Sequence, residues 1–171
     1  MLSAGETCIP ANNHVDQQHV PNMSTTIKFY RVNEPYGCFS NFAPYSVTID
    51  GLEWPTTEHY FQAQKFAGSE HEETIRNAPT PMAAARMGRD RELPLRADWE
   101  EVKDNIMRDA VLAKFTQHEE LRDILLSTGD ALLVEHTQND RYWADGGDGT
   151  GRSMFGQILM DLREQLRNAA G

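Results

Sequence analysis

The chain is organised around residues 54–66, which read WPTTEHYFQAQKF. This stretch predicts one short helix, because Thr56 is a suitable N-cap and follows a proline whose φ suits a helix entrance. The residues after it are mostly good helix formers. At about 100° per residue, Glu58, Gln62 and Lys65 fall on one narrow line of the helix surface. This Glu58–Gln62–Lys65 stripe presents a carboxylate, an amide and an amine together.

The stripe has two interpretations. Glu and Lys on one helix line usually form a solvated face. The flanking aromatic residues, Phe61 and Phe66, favour a site instead, because a solvated stripe would leave one of them exposed, while Tyr60 points to the opposite side. Glu58 lies in the predicted first turn, where the helix dipole favours its charged form and burial would oppose it.

The composition is that of one globular domain. The chain has 171 residues, 39% of them hydrophobic and 25% charged, which suits one full-sized core. No stretch approaches the roughly 20 apolar residues of a membrane span, and the N-terminus lacks the pattern of a secretory signal. We therefore expect no membrane association, a cytoplasmic or nuclear location, and reduced thiols at Cys8 and Cys38. The sequence leaves the oligomeric state open, and a monomer is expected.

The charge and the cysteine spacing restrict the partners. A net charge of −10 argues against a basic groove that binds DNA or RNA through its phosphates. Recognition of a single modified nucleotide in a pocket stays compatible with that charge. Since the cysteines show no CxxC or Cys/His spacing, they predict no zinc site. The expectation for cofactors in general is that there are none.

The element pattern predicts an α+β fold that is mostly helical, with a small sheet and a hairpin. Residues 1–25 are polar and predict a disordered tail, which leaves residues 26–171 as the domain. Asp50-Gly51 between two alternating runs predicts a two-residue hairpin. Strands are predicted at 27–32 and, as a buried strand, at 131–136. Further helices are predicted at 72–76, 81–88, 99–116, 119–126 and 153–167.

Residues 140–151 form an acidic, glycine-rich loop before the last predicted helix. Glycines let backbone approach a ligand closely or adopt positive φ, and a helix N-terminus is a usual place for a phosphate. The loop has neither the P-loop nor the Rossmann spacing, and its aspartates do not fit a calcium loop. Taken alone it is weak evidence for a ligand site, although Trp143 within it suggests a stacking surface.

Residues 36–42 form a second loop that could contact a ligand. Ser40 and Asn41 could hydrogen-bond a hydroxyl or phosphate oxygen, and Phe39 or Phe42 could stack on a base. The structural alternative, which we prefer locally, is a turn held by side-chain hydrogen bonds with two core aromatics.

Together, residues 36–42, 54–65 and 140–151 resemble the NADAR family of N-glycosidases, and the likeness runs over about residues 26–165. The resemblance implies a compact α+β domain that hydrolyses the bond between a base nitrogen and a ribose anomeric carbon, without a metal. It implies two substrate classes: ADP-ribose on guanine in DNA or RNA, and the phosphoribosylamino-pyrimidine intermediates of riboflavin biosynthesis. We predict the first, an ADP-ribosyl glycohydrolase. A module that binds ADP-ribose without cleaving it is a further alternative.

The resemblance implies catalytic roles for Glu58 and Lys65, with Asp145 or Asp140 as a second acid or base. A carboxylate assists an oxocarbenium-like centre, and a desolvated lysine can attack the anomeric carbon as an amine and give a Schiff base. In the simpler alternative, Glu58 activates water while Lys65 holds a phosphate or hydroxyl. The residues expected to line the ribose and phosphates are Ser40, Asn41, Phe42, Trp54, Tyr60, Asp140, Tyr142, Trp143, Gly146 and Gly147.

The chain departs from the family pattern at two positions of the glycine-rich loop and the helix start after it. Ala144 stands where the resemblance leads us to expect Gly, and Ser153 where we expect Asn. Because Ala144 lies in the predicted phosphate loop and Ser153 lies just after it, both bear on substrate choice more than on fold.

Overall fold

The computed structural model describes residues 25–170, so almost all of the predicted tail lies outside the described residues. The described chain folds as two compact units, the first made of residues 25–40 with 120–170 and the second of residues 41–119. The described strands and helices in chain order are β1 (Thr26–Phe29), β2 (Val47–Ile49), β3 (Leu52–Trp54), α1 (Thr57–Gln64), α2 (Glu70–Arg76), α3 (Pro81–Gly88), α4 (Trp99–Gln117), α5 (Glu119–Ser127), β4 (Leu132–Glu135) and α6 (Met154–Ala169).

The first unit contains a parallel pair of strands covered by α6. β1 and β4 pair with Thr26 opposite Leu132, and α6 packs against β4. Gly156 permits this packing, because a Cβ there would lie 1.9 Å from the carbonyl oxygen of Leu133. β4 was predicted as a buried strand, which is wrong for Leu132: its side chain is 46% exposed, since the sheet has two strands and leaves one side uncovered.

The second unit contains the hairpin and the helices around α1. β2 and β3 pair antiparallel, and Asp50 and Gly51 both have positive φ, 53° and 78°, as a type I′ turn requires. The hairpin prediction is therefore confirmed. α1 packs against α2, α3 and α4, which explains why it is buried on most sides.

Two local features of these units differ from what residue type suggests, since Asp often caps a helix and a thiol without a secretory signal is usually reduced. Asp98 immediately precedes α4 but does not cap it through its side chain; the carboxylate instead accepts a 2.6 Å hydrogen bond from Arg96 Nε. Cys38 is disulfide-bonded, which contradicts the expectation of a reduced thiol.

The described residues contain no helix long and apolar enough to cross a membrane. Within the same range, no group of three or more His, Cys, Asp or Glu side chains is arranged to hold a metal ion.

Candidate active site

The start of α1 is fixed by two neighbours in the second unit. Thr56 caps the helix as predicted, since its hydroxyl accepts from the backbone N–H of His59 at 3.3 Å. Asn41 receives two further donors: its backbone oxygen accepts from Glu58 N at 3.2 Å, and its Oδ1 accepts from Thr57 Oγ1 at 2.8 Å. Asn41, a predicted substrate contact, thus holds the backbone beneath Glu58.

Glu58 is a buried carboxylate that has one direct hydrogen-bond partner among residues 25–170. Its side chain points along α1, and Oε1 accepts a 2.8 Å hydrogen bond from Gln62 Nε2. Burial raises the pKa of Glu58, while the Gln62 hydrogen bond and the charges of Arg89 and Lys65 oppose that rise. Burial therefore outweighs the hydrogen bond and the two charges that oppose it. A carboxyl whose pKa moves toward neutrality suits proton transfer.

Lys65 lies at the C-terminus of α1 beside two aromatic rings, Phe61 and Trp99, which contact each other with centroids 5.1 Å apart. Its Nζ donates to the Gly88 oxygen at 3.0 Å and lies 6.0 Å from the centroid of Phe61 and 5.6 Å from that of Trp99. Burial lowers the pKa of Lys65, and the charge of Glu58 opposes this effect. A larger share of neutral amine makes Lys65 a better nucleophile.

The prediction that Phe61 and Phe66 flank the stripe is half right. Phe61 lies near the amine as expected, but the second ring near the amine is Trp99 of α4. Phe66 packs instead against His71, with ring centroids 5.9 Å apart. Periodicity within one helix could not indicate Trp99, because it reaches Lys65 through tertiary packing.

Gly88 of α3 packs directly against the Gln62 side chain of the stripe. A Cβ at Gly88 would lie 2.0 Å from Gln62 Oε1, so only glycine lets α3 approach this closely. Among the described residues, Gln62 Oε1 is buried without a hydrogen-bond partner. The Glu58–Gln62–Lys65 stripe is therefore not a solvated face, because Glu58 and Gln62 are buried and bonded to each other and the Lys65 amine is bonded to Gly88.

Three further residues of α1 and its surroundings have structural contacts. Trp54 and Tyr60 are buried against each other, edge to face, with ring centroids 5.2 Å apart. Burial, followed by nearby acidic groups, raises the pKa of Tyr60 to about 12. His59 is a packed core histidine, whose ring nitrogens lie 2.8 Å from Thr56 Oγ1 and 3.0 Å from the Ala78 oxygen.

The first unit holds Asp145, the predicted second acid or base, against a histidine that the sequence did not indicate. Asp145 Oδ2 lies 2.7 Å from His136 Nδ1, and Oδ1 accepts from Gly147 N at 2.9 Å. Burial alone would raise the pKa of Asp145, but these hydrogen bonds hold it below the ordinary value. His136 follows β4, nine residues earlier in the chain, and its side chain is 41% exposed.

The remaining residues of the glycine-rich loop shape its backbone. Asp140 Oδ1 accepts from the backbone N–H groups of Tyr142 and Trp143, at 2.8 and 2.6 Å, which is a side-chain turn. The Tyr142 and Trp143 rings meet edge to face at 4.9 Å. Gly146 and Gly147 have positive φ, 74° and 79°, and therefore need glycine.

The two departures from the family pattern, Ala144 and Ser153, lie in different local environments. Ala144 is fully buried. Ser153 has a φ of 49°, a left-handed conformation that Asn adopts more readily than Ser. Of the other predicted contacts, Ser40 is buried in the first unit, and Phe42 is half-buried in the second.

The family model of the NADAR domain matches residues 28–167. This chain belongs to the NADAR family. Its NADAR relatives include the N-glycosidase YbiA of Escherichia coli, 57% identical over 87% of this chain and 92% of that protein. Another is the N-glycosidase Npun_R5314 of Nostoc punctiforme, 49% identical over 84% of this chain and 94% of that protein.

The structural comparison agrees. The NMR structure of E. coli YbiA has a TM-score of 0.83 and 52% identity, covering 96% of this chain and 94% of that one. The predicted α+β fold and the predicted family are thereby confirmed. The chain also matches the riboflavin biosynthesis protein VVA0006 of Vibrio vulnificus, 42% identical over 86% of this chain and 40% of that protein.

Proposed function

We propose that this NADAR protein is an N-glycosidase that hydrolyses the bond between a base nitrogen and the anomeric carbon of a ribose. The observation that carries the proposal is the pairing of a buried carboxyl with a partly desolvated amine on one face of α1. The names of the relatives from E. coli and Nostoc, both N-glycosidases, support the same activity.

In the proposed mechanism Lys65 is the nucleophile, and Glu58 acts first as an acid and then as a base. The lone pair of Lys65 Nζ forms a bond to the anomeric carbon as the bond to the base nitrogen breaks, and that nitrogen takes a proton from Glu58. A proton then moves from the lysine nitrogen to the ring oxygen, and ring opening gives a Schiff base. Water, deprotonated by Glu58, hydrolyses the Schiff base and releases the sugar and the free amine. In the alternative, Glu58 activates water directly and Lys65 only holds the substrate.

The substrate class favoured by the relatives is a phosphoribosylamino-pyrimidine. Two relatives, from Vibrio vulnificus and maize, are named riboflavin biosynthesis proteins. The net charge of −10 also suits a small substrate better than a nucleic acid. Removal of ADP-ribose from guanine in DNA or RNA, the prediction from the family resemblance, is the second candidate.

Residues outside the pair would bind and orient the substrate. We assign proton transfer in the first unit to Asp145, with Asp140 as the alternative. The ribose and phosphate contacts are assigned to Ser40, Asn41, Phe42, Trp54, Tyr60, Tyr142, Trp143, Gly146 and Gly147.

The test is borohydride trapping with each substrate in turn. Wild-type protein should release sugar and, with borohydride, give a sugar adduct on Lys65 by peptide mass spectrometry. K65M should give no adduct and lose at least about 1,000-fold in kcat. The control K103M on α4 should still form the adduct and keep the wild-type kcat. Full activity in K65M would reject the lysine mechanism, and loss of activity without any wild-type adduct would support the alternative. Binding of ADP-ribose without release of sugar from either substrate would make the protein a binding module.

A further inference from the structure

Arg89 is fixed beside the Glu58–Gln62–Lys65 stripe by the end of α3. It follows Gly88, whose oxygen accepts from Lys65 Nζ at 3.0 Å and whose Cα lies against Gln62. The backbone N–H of Arg89 bonds to the Ala85 and Arg86 oxygens and closes the helix. The backbone position of Arg89 is therefore set by helix geometry, one residue from the carbonyl that holds the amine.

The charge of Arg89 reaches both members of the pair. Burial dominates the pKa shifts of Glu58 and Lys65, and the charge of Arg89 then lowers both pKa values. The Arg89 side chain is exposed, and within residues 25–170 it makes no hydrogen bond or ion pair. Arg76 differs, because its guanidinium is paired with Glu73 at 2.6 Å.

The charge of Arg89 disfavours the charged form of Lys65, because like charges repel. A bound anion would remove this repulsion, and a guanidinium matches phosphate with two parallel hydrogen bonds. We propose that Arg89 binds the phosphate on the substrate ribose and thereby selects phosphorylated ribosides over unphosphorylated ones. This inference rests on the proposed function, since it concerns the sugar that Lys65 and Glu58 would cleave.

The kinetic test compares R89Q with R86Q on two substrates, a ribosylamino-pyrimidine with and without its 5-phosphate. Arg86 lies on the same helix and is also exposed, so R86Q removes the same charge without touching the proposed contact. R89Q should raise KM for the phosphorylated substrate about 10- to 100-fold, with kcat changed by less than about threefold. Because R89Q also removes a charge that acts on Glu58 and Lys65, the readout is the preference for the phosphorylated substrate: the ratio of the two kcat/KM values should fall about 10- to 100-fold in R89Q and stay within about twofold of wild type in R86Q.

An equal loss on both substrates in R89Q would overturn the proposal, because Arg89 would then act on the reacting pair or on the fold. An unchanged preference for the phosphate would overturn it as well. Calorimetric titration with ribose 5-phosphate and with ribose tests the phosphate contact of Arg89 even if the protein cleaves neither substrate. Phosphate-dependent binding by wild type and R86Q but not by R89Q supports the subsite, and equal binding by all three contradicts it.

Discussion

At the scale of single residues, Glu58 shows a conflict between stability and chemistry. A carboxyl with 6% exposure and a raised pKa is held where its charged form is disfavoured. Replacement by Gln keeps an oxygen that can accept from Gln62 and removes the charge. We expect E58Q to abolish activity and to stabilise the fold by about 1–2 kcal/mol at neutral pH.

The pH dependence of E58Q follows from the sign of the pKa shift. Because the pKa of Glu58 in the folded state is raised above 4.5, wild-type stability falls as pH rises from 4.5 through the folded pKa. Gln does not titrate, so thermal melts should show the stability advantage of E58Q growing over that window and vanishing below it. An advantage independent of pH would show that the gain comes from packing.

Asp145 is the opposite case, a carboxyl whose ionised form is favoured. Its pKa lies below 3.8, because hydrogen bonds from His136 and Gly147 outweigh burial. Its contribution to stability is present above pH 3.8 and is lost as pH falls through the folded pKa. We expect D145N to lower the free energy of unfolding by about 1–3 kcal/mol at pH 7.

The denaturant midpoints of D145N and wild type should converge in acid. H136N serves as the control, because its side-chain amide can still donate to Asp145 in place of the imidazole Nδ1. A loss in H136N as large as in D145N would mean that the whole imidazole ring, and not the hydrogen bond, stabilises the loop.

At the scale of helices and strands, the packing of α1 against α3 depends on one glycine. Alanine at position 88 would place its Cβ 2.0 Å from Gln62 Oε1 and push Gln62 away from Glu58. We expect G88A to cost about 1–3 kcal/mol of stability and at least about tenfold in kcat. Q62A/G88A should regain stability but not activity.

G129A is the matched control for G88A. Gly129 has a positive φ of 59° but open space where a Cβ would lie, so alanine should cost about 1 kcal/mol through backbone strain and leave kcat unchanged. If G88A were destabilised yet fully active, contact with Gln62 would have no part in the chemistry.

α4 carries a buried cation on its inner face, which helical spacing did not predict. Lys114 is 1% exposed, and burial lowers its pKa from 10.5 to about 7. Since the unfolded state binds more protons between pH 7 and 10.5, wild-type stability should rise with pH over that window. We expect K114M to be more stable by about 2 kcal/mol below pH 7. Urea titrations at pH 6 and pH 10 should show this gain shrinking at the higher pH.

Local patterns in the sequence predicted elements better than they predicted tertiary neighbours. α3 begins and ends where Thr80, Pro81 and Gly88 indicate, because caps, prolines and glycines act through neighbouring backbone. The line from Glu58 to Lys65 follows from helix periodicity alone. Trp99, His136 and Lys114 acquire their roles only through tertiary packing, so no local spacing marked them.

At the scale of the whole molecule, the net charge of −10 makes a prediction about substrate class. A protein that binds nucleic acid through its phosphates releases counterions on binding. Its affinity falls steeply as salt rises, because that release becomes less favourable in concentrated salt. This chain has an excess of carboxylates, so an anionic substrate approaches against long-range repulsion that salt screens. For the small phosphorylated riboside we expect kcat/KM to change by less than about threefold between 50 and 500 mM salt.

The ADP-ribosylated oligonucleotide has many more charges, so its kcat/KM should rise over the same salt range if it is cleaved at all. The measurement is a pair of salt titrations under identical buffer conditions, with R86Q as a control for a change of one surface charge. A steep fall with salt for the oligonucleotide would mean that local positive potential overrides the net charge. The nucleic-acid substrate would then become the better candidate, because that dependence requires phosphate contacts that a small riboside does not need.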